Sequence, residues 1–136
     1  MDLTYNNDQH RLYLEFTDGI GQRWIEVFEG DTEFYSAAYW DLLTAVWRAD
    51  GPVRKTDALG FMTAIKSPHT AGKYIEKALS QGYLVEQDNP DDARSKLISM
   101  APETRQRLDA FFDFVVGKWR IAILEVERRG PSPEIG

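Results

Sequence analysis

Hydrophobic and polar residues exchange places along this chain with a changing rhythm. In RLYLEF, residues 11–16, Leu12, Leu14 and Phe16 alternate strictly with polar neighbours, and RWIEVF, residues 23–28, alternates too. The Asp-Gly of TDGIG lies between the two runs. A period of two around such a turn predicts a β-hairpin within residues 1–30, although the second arm reads equally well as the start of a helix. A four-residue spacing then takes over. Asp31 or Thr32 can cap a helix running to about Ala49, with Phe34, Ala38, Leu42 and Val46 in one line and Tyr35, Tyr39, Leu43 and Trp47 beside it. Asp50-Gly51-Pro52 ends it.

A short helix is expected in TDALGFMTA, residues 56–64, capped by Thr56 and facing inward through Leu59 and Met62 or Thr63. The next helix is the best punctuated: Ser67 is a good N-cap, Pro68 sits where proline starts helices, and Gly82 sits where glycine ends them. Ala71, Tyr74 or Ile75, Ala78 and Leu79 form its buried stripe, while His69, Thr70, Lys73 and Lys77 lie opposite, with Lys66 just ahead of the cap. YLVEQ and RSKLISM then read as two strands around the acidic loop DNPDDA, with Arg94 and Lys96 just past its tip.

From about Glu103 to Arg128 the pattern is helical again, a length of roughly 40 Å at 1.5 Å per residue. Leu108, Phe111, Val115, Trp119, Ala122 and Val126 make one seam, and Phe112, Phe114, Val116, Ile121, Ile123 and Leu124 wrap much of the rest. A helix apolar on more than one face needs more than one partner surface, so this one is expected to form a dimer interface, with Leu108, Phe111, Phe112, Val115, Trp119 and Ala122 as its residues. GPSPEIG, residues 130–136, reads as a tail.

Composition narrows the function. At 136 residues the chain is expected to be one domain: an N-terminal extension 1–30, a core 31–100, a helix 101–129 and the tail. It has no cysteine, so neither disulfides nor a Cys-ligated zinc site arises, and its two histidines, His10 and His69, suggest no metal. No cofactor is expected. The start of the chain has no basic and apolar leader pattern, and the most apolar run, FFDFVVGKWRIAIL, is short and charged for a bilayer. A soluble cytoplasmic protein without a membrane partner is the expectation. Gly19-Ile20-Gly21 is no phosphate loop, and no nucleophile–base pair or carboxylate dyad supports an enzyme.

The net charge of −6 argues at first against nucleic acid, but residues 1–50 alone hold ten acids against three bases. Residues 66–100 balance at five of each sign.

Two short helices, the second presenting basic residues, followed by a two-stranded hairpin make a winged helix-turn-helix pattern. Over residues 51–108 the sequence resembles the MarR-type (multiple-antibiotic-resistance-regulator) transcription factors. Ser67, Thr70 and Lys73 match the start of that family's recognition helix, Gly82 its end, and Asp92-Ala93-Arg94 the Asp-x-Arg of its wing. Ser99-Met100-Ala101-Pro102 stands where the wing passes into the dimerisation helix. The chain departs from the family in two places. A hairpin is read where the family begins with a long helix, and Ala78 replaces a common leucine.

The resemblance implies a mainly α fold with a small β wing (α+β), acting as a bacterial-type, homodimeric transcriptional regulator on a pseudo-palindromic duplex. The recognition helix, about 67–81, is expected in the major groove and the wing, about 83–100, near the minor groove. Lys66, Ser67, His69, Thr70, Lys73, Lys77, Arg94 and Lys96 are the expected DNA contacts. Competing with this are an ordinary solvated lysine face, an Arg94 that merely stiffens its loop by pairing with Asp91 or Asp92, and a winged helix used only for protein–protein contact. Interruption of the basic band by Glu76, Glu86 or Asp91 would favour that last reading. A small-molecule effector is also implied; Phe34, Tyr35, Tyr39, Trp40 and Trp47 are either its pocket or, as the better expectation, core.

Overall fold

The computed structural model describes residues 1–131, so most of the expected tail lies outside the described residues. The elements run α1 (Asn7–Val27), a single 3-10 turn (Thr32–Phe34), α2 (Ala37–Arg48), β1 (Val53–Arg54) and α3 (Lys55–Ala58), the last extended by a 3-10 turn at Leu59–Phe61. They continue with α4 (Pro68–Ser80), β2 (Leu84–Asp88), β3 (Lys96–Met100) and α5 (Pro102–Arg128). The fold is therefore mainly α with a small antiparallel sheet. The chain falls into two compact units: Asp31–Leu108, and Met1–Gly30 together with Asp109 onward.

The expected N-terminal hairpin is not formed; residues 7–27 are one helix. Asn6 and Gln9 build a capping box: the Asn6 side chain accepts from the Gln9 amide at 2.8 Å, and Gln9 Oε1 accepts from the Asn6 amide at 2.9 Å. Buried positions then fall at Gln9, Leu12, Gly21, Trp24 and Val27, with half-buried Phe16 and Ile20 filling the gap between Leu12 and Gly21 on the helical period, while Leu14 of the alternating run is exposed. An alternation of three apolar residues is too short to distinguish a strand from two turns of helix. The TDGIG stretch, read as a turn, lies inside the helix at the modest cost that glycine carries there. The helix stops at Val27, and the chain turns away through Glu29 and Gly30, both at positive φ; Gly30 at 85° takes a conformation that favours glycine, and its amide closes on the Ile25 carbonyl at 3.0 Å.

Within this first unit the core is aromatic. Trp24 lies 5.1 Å from Phe28 and 5.5 Å, edge to face, from Phe111 on α5. Gln9 is the buried polar link. Its Nε2 donates to the carbonyls of Val126 at 2.8 Å and Pro131 at 3.0 Å. Asn6 Nδ2 donates to the Arg129 carbonyl at 3.1 Å. The packing there leaves no room for a side chain at Gly130, where a Cβ would run into Asn6 and come within 2.9 Å of Gln9. Hydrogen bonds from Arg128 and Arg129 hold the Glu125 carboxyl down at about 2. Gln9→Ala is expected to cost about 1–3 kcal/mol, because it removes the two hydrogen bonds donated by a buried amide and half of the capping box. Denaturant melts should find this loss, whereas His10→Ala next to it, on the exposed side, should leave the midpoint nearly unchanged.

The second unit corrects the single helix expected from residue 31 to 49. Asp31 caps only the 3-10 turn, accepting from the Glu33 amide at 2.9 Å; Ser36 caps α2, accepting from the Tyr39 amide at 3.2 Å. Between them Tyr35 leaves helical geometry, and its side chain is exposed. Thr56 is likewise not a cap but lies inside α3, whose cap position is Arg54 without a side-chain bond. The sheet has the order β1-β3-β2, all antiparallel, with Val53 opposite Ile98, Leu84 opposite Met100 and Asp88 opposite Lys96. Strand β1 was not foreseen; two residues carry no readable alternation. The core of this unit is Phe34, Leu42, Leu43, Met62, Ile75, Leu84 and Ile98, all fully buried.

Candidate nucleic-acid interface

Helix α4 folds as its punctuation demands. Ser67 Oγ accepts from the Thr70 amide at 3.3 Å and Pro68 occupies the first turn. At the other end Gly82 takes φ 78°, its amide reaching the Leu79 carbonyl and the Tyr83 amide reaching the Ala78 carbonyl, each at 3.0 Å. This pair of bonds is a Schellman motif, which ends the helix and turns the chain directly into β2. Ala71, Ile75 and Ala78 are buried, and two alanines among them let the helix sit close to its neighbours. One side of α4 being fixed in this way, the other is presented to solvent: Lys66, Ser67, His69, Thr70 and Lys73 are all exposed.

The wing is shaped by its acidic turn. Asn89 Oδ1 accepts from the Asp91 amide at 3.0 Å, Asn89 Nδ2 donates to Ser95 Oγ at 2.9 Å, and Asp92 Oδ1 accepts from the Arg94 amide at 3.0 Å. Side chains that bond the backbone two residues on are what holds such a loop in one conformation. The Arg94 side chain stands 96% exposed at the tip, with its Nε 3.8 Å from Asp92. An exposed pair of that geometry is weak, so Asp92 orients Arg94 without engaging it fully.

The other expected cations are less available. Lys77 is only half-exposed and pairs with Glu33 at 3.4 Å. Lys96 pairs with Asp88 across the strands; that hydrogen bond holds the ammonium above its ordinary pKa and the carboxyl below its own. Lys66 and Lys73 have no ion-pair partner among the described residues. Two basic residues that sequence reasoning passed over stand nearby, exposed Arg54 and half-buried Lys55. Adjacent cations just before a Thr-Asp helix start were the only available signal for them.

Of the acids suspected of breaking the basic band, Glu76 and Glu86 prove to be partnered, whereas the exposed Asp91 is held only through its backbone. Lys55 Nζ lies 2.6 Å from Glu76 on α4 and 2.6 Å from Glu86 on β2. Asp91 has its amide bonded into the loop.

The aromatic cluster divides. Phe34 and Tyr39 are core, their rings 4.5 Å apart, and Tyr39 Oη donates to the Tyr74 carbonyl at 3.3 Å. Burial first, then Glu33, Tyr74 and Asp31, push the Tyr39 phenol up, so it stays neutral. Tyr35 and Trp40 are exposed, and Trp47 has the Arg105 guanidinium 5.3 Å over its ring. The cluster is thus split between the core and the solvent-facing surface. Tyr39 does border a shallow depression of about 280 Å³, shared with Glu33, Ser36, Lys73, Tyr74 and Lys77.

Of the residues expected in a dimer seam, Leu108 and Phe111 are buried within their own chain and Phe112, Val115 and Ala122 are half-buried. Their surface is therefore largely used inside the chain; Trp119 remains open, with Val116, Ile121, Ile123 and Leu124 around the helix beside it. Among the described residues no acid or histidine group suits a metal ion, and no helix is long and apolar enough to cross a membrane.

No protein-family model matches the sequence, and no curated protein does. Solved structures do match. A protein from Bacillus cereus described as a MarR-like transcription regulator aligns over 85% of this chain and 84% of its own, with a TM-score of 0.51 at 18% identity. A transcriptional regulator from Thermotoga maritima aligns over 88% and 81%, with a TM-score of 0.59 at 14% identity. A protein from Pseudomonas aeruginosa, described as a transcriptional regulator, aligns over 85% and 83%, with a TM-score of 0.51 at 20% identity. The fold of this chain is that of the MarR-like transcription regulators: a winged helix-turn-helix core, a long C-terminal helix and, in place of the expected hairpin, a long N-terminal one.

Proposed function

We propose that the protein is a sequence-specific, DNA-binding transcriptional regulator acting as a homodimer in the bacterial cytoplasm. The observation that carries the reading is the open face of α4, where His69, Thr70 and Lys73 stand exposed on a helix packed down by Ala71, Ile75 and Ala78, with exposed Lys66 just ahead of its cap and Arg94 projecting from the wing that follows. In this reading α4 enters the major groove, Thr70 and Lys73 approach base edges, and Arg94 meets the minor groove or its phosphates. Ser67, engaged as a cap, keeps its hydroxyl hydrogen for a phosphate. Lys77 and Lys96 must leave Glu33 and Asp88 to contribute, so their share is smaller. The exposed apolar residues of α5 support the homodimer, since a contiguous apolar surface of this kind marks an interface. Two α4 helices would then read half-sites of a pseudo-palindrome about one turn apart.

Selection from a random duplex pool tests the reading. One sequence should be enriched, and its affinity should fall with salt. Removing Lys73 or Arg94 should each cut the slope of log affinity against log salt by about 0.9. Lys73→Ala should also relax sequence preference at one position by roughly 1–3 kcal/mol, whereas Arg94→Ala should weaken all sequences evenly. Absence of binding to any duplex at low salt, by the folded protein, would sink the DNA reading and leave a winged helix that binds protein.

A further inference from the structure

Lys55 is not on the recognition helix and not in the wing, yet it touches both. It opens α3 immediately after β1, and its ammonium lies 2.6 Å from Glu76 of α4 and 2.6 Å from Glu86 of β2. Its side chain is 27% exposed, which leaves little of it for a further partner. Glu76 follows Lys73 by three positions and His69 by seven, so it shares their stripe along α4. Glu86 stands on the first strand of the wing. Both carboxylates thus belong to the elements that would meet phosphate, where like charge is costly. Although burial disfavours a charge on Lys55, its hydrogen bonds to Glu76 and Glu86 outweigh that and hold the ammonium above its ordinary pKa, so it is charged throughout the physiological range.

We propose that Lys55 is a positioning residue for DNA binding: a built-in counter-ion that masks Glu76 and Glu86 and ties the wing strand to the recognition helix through one ammonium. The inference rests on the DNA reading above. It differs from a direct contact, because Lys55 would act on affinity only through the two acids. Without it the carboxylates repel each other across the α4–β2 junction and repel the duplex.

The test measures affinity for the enriched duplex by fluorescence anisotropy across a salt series, with thermal melts as a check on folding. Lys55→Met should weaken binding about 10- to 100-fold at low salt. Lys55→Met combined with Glu76→Gln and Glu86→Gln should bring affinity back to within about threefold of wild type, since no charge is left to mask. Lys55→Arg should bind nearly as wild type. Should Lys55→Met fail to fold, Glu76→Gln with Glu86→Gln in the otherwise native chain still decides: releasing the ammonium toward the duplex should tighten binding several-fold and steepen the salt slope. Wild-type binding with an unimpaired Lys55→Met, a triple variant as weak as Lys55→Met alone, or a double variant that binds no more tightly overturns this inference alone. Failure of the wild-type chain to bind any duplex removes the DNA reading and this inference with it.

Discussion

Trp119→Glu combined with Ile123→Glu is expected to yield a folded monomer. The two residues are one turn apart on α5, and both are open in the chain itself, 57% and 48% exposed, with Val116 on the same stripe. A carboxylate at either position stays in water in a monomer and costs its stability little. In a homodimer joined through this stripe, each protomer would bury two charges without partners, at a cost of several kcal/mol per interface. Every 1.4 kcal/mol is tenfold in affinity, so dissociation should shift by roughly a thousandfold or more. Sedimentation should find the monomer, with circular dichroism and thermal midpoint close to wild type. An unchanged dimer would place the interface on another surface, such as the apolar groove of about 420 Å³ lined by Tyr5, Gln9, His10, Tyr13, Leu14 and Val126.

Phe111→Ala, two turns earlier on the same helix, should have the opposite signature. Phe111 is 2% exposed, its ring meeting Trp24 edge to face at 5.5 Å and Phe112 at 5.4 Å. Truncating a buried phenylalanine removes its transfer free energy and leaves a cavity, at about 3–5 kcal/mol. Against a typical total of about 5–15 kcal/mol this is a large share, and the thermal midpoint should fall on the order of 10–20 °C. Oligomeric state should change only as far as unfolding forces it. A fall of no more than a few degrees would mean that the Trp24–Phe28–Phe111 cluster does not carry this unit's core.

These contrasting substitutions mark the limit of the hydrophobic pattern. Helical spacing placed Phe111, Val115 and Trp119 in one seam, but spacing gives direction and not depth. Which of them is used inside the chain depends on Trp24, nearly ninety residues earlier.

Local hydrogen bonding made the rest of the reading possible where it was right. Ser67, Pro68 and Gly82 bound α4 within a residue of its ends, because caps are satisfied by groups a few positions away in sequence. The wing followed from Asn89 and Asp92, whose side chains bond their own loop. A local signal for α1 was also present in Asn6 and Gln9, but a short alternation at Leu12, Leu14 and Phe16 obscured it. Only the tertiary structure decided the rest. Strand β1 exists because Val53 and Arg54 find Ile98 and Leu97 more than forty residues on. Lys77 is diverted to Glu33, Lys96 to Asp88, and Lys55 gathers Glu76 and Glu86. Charge in a sequence is a property of single residues, whereas its availability depends on distances that only packing sets.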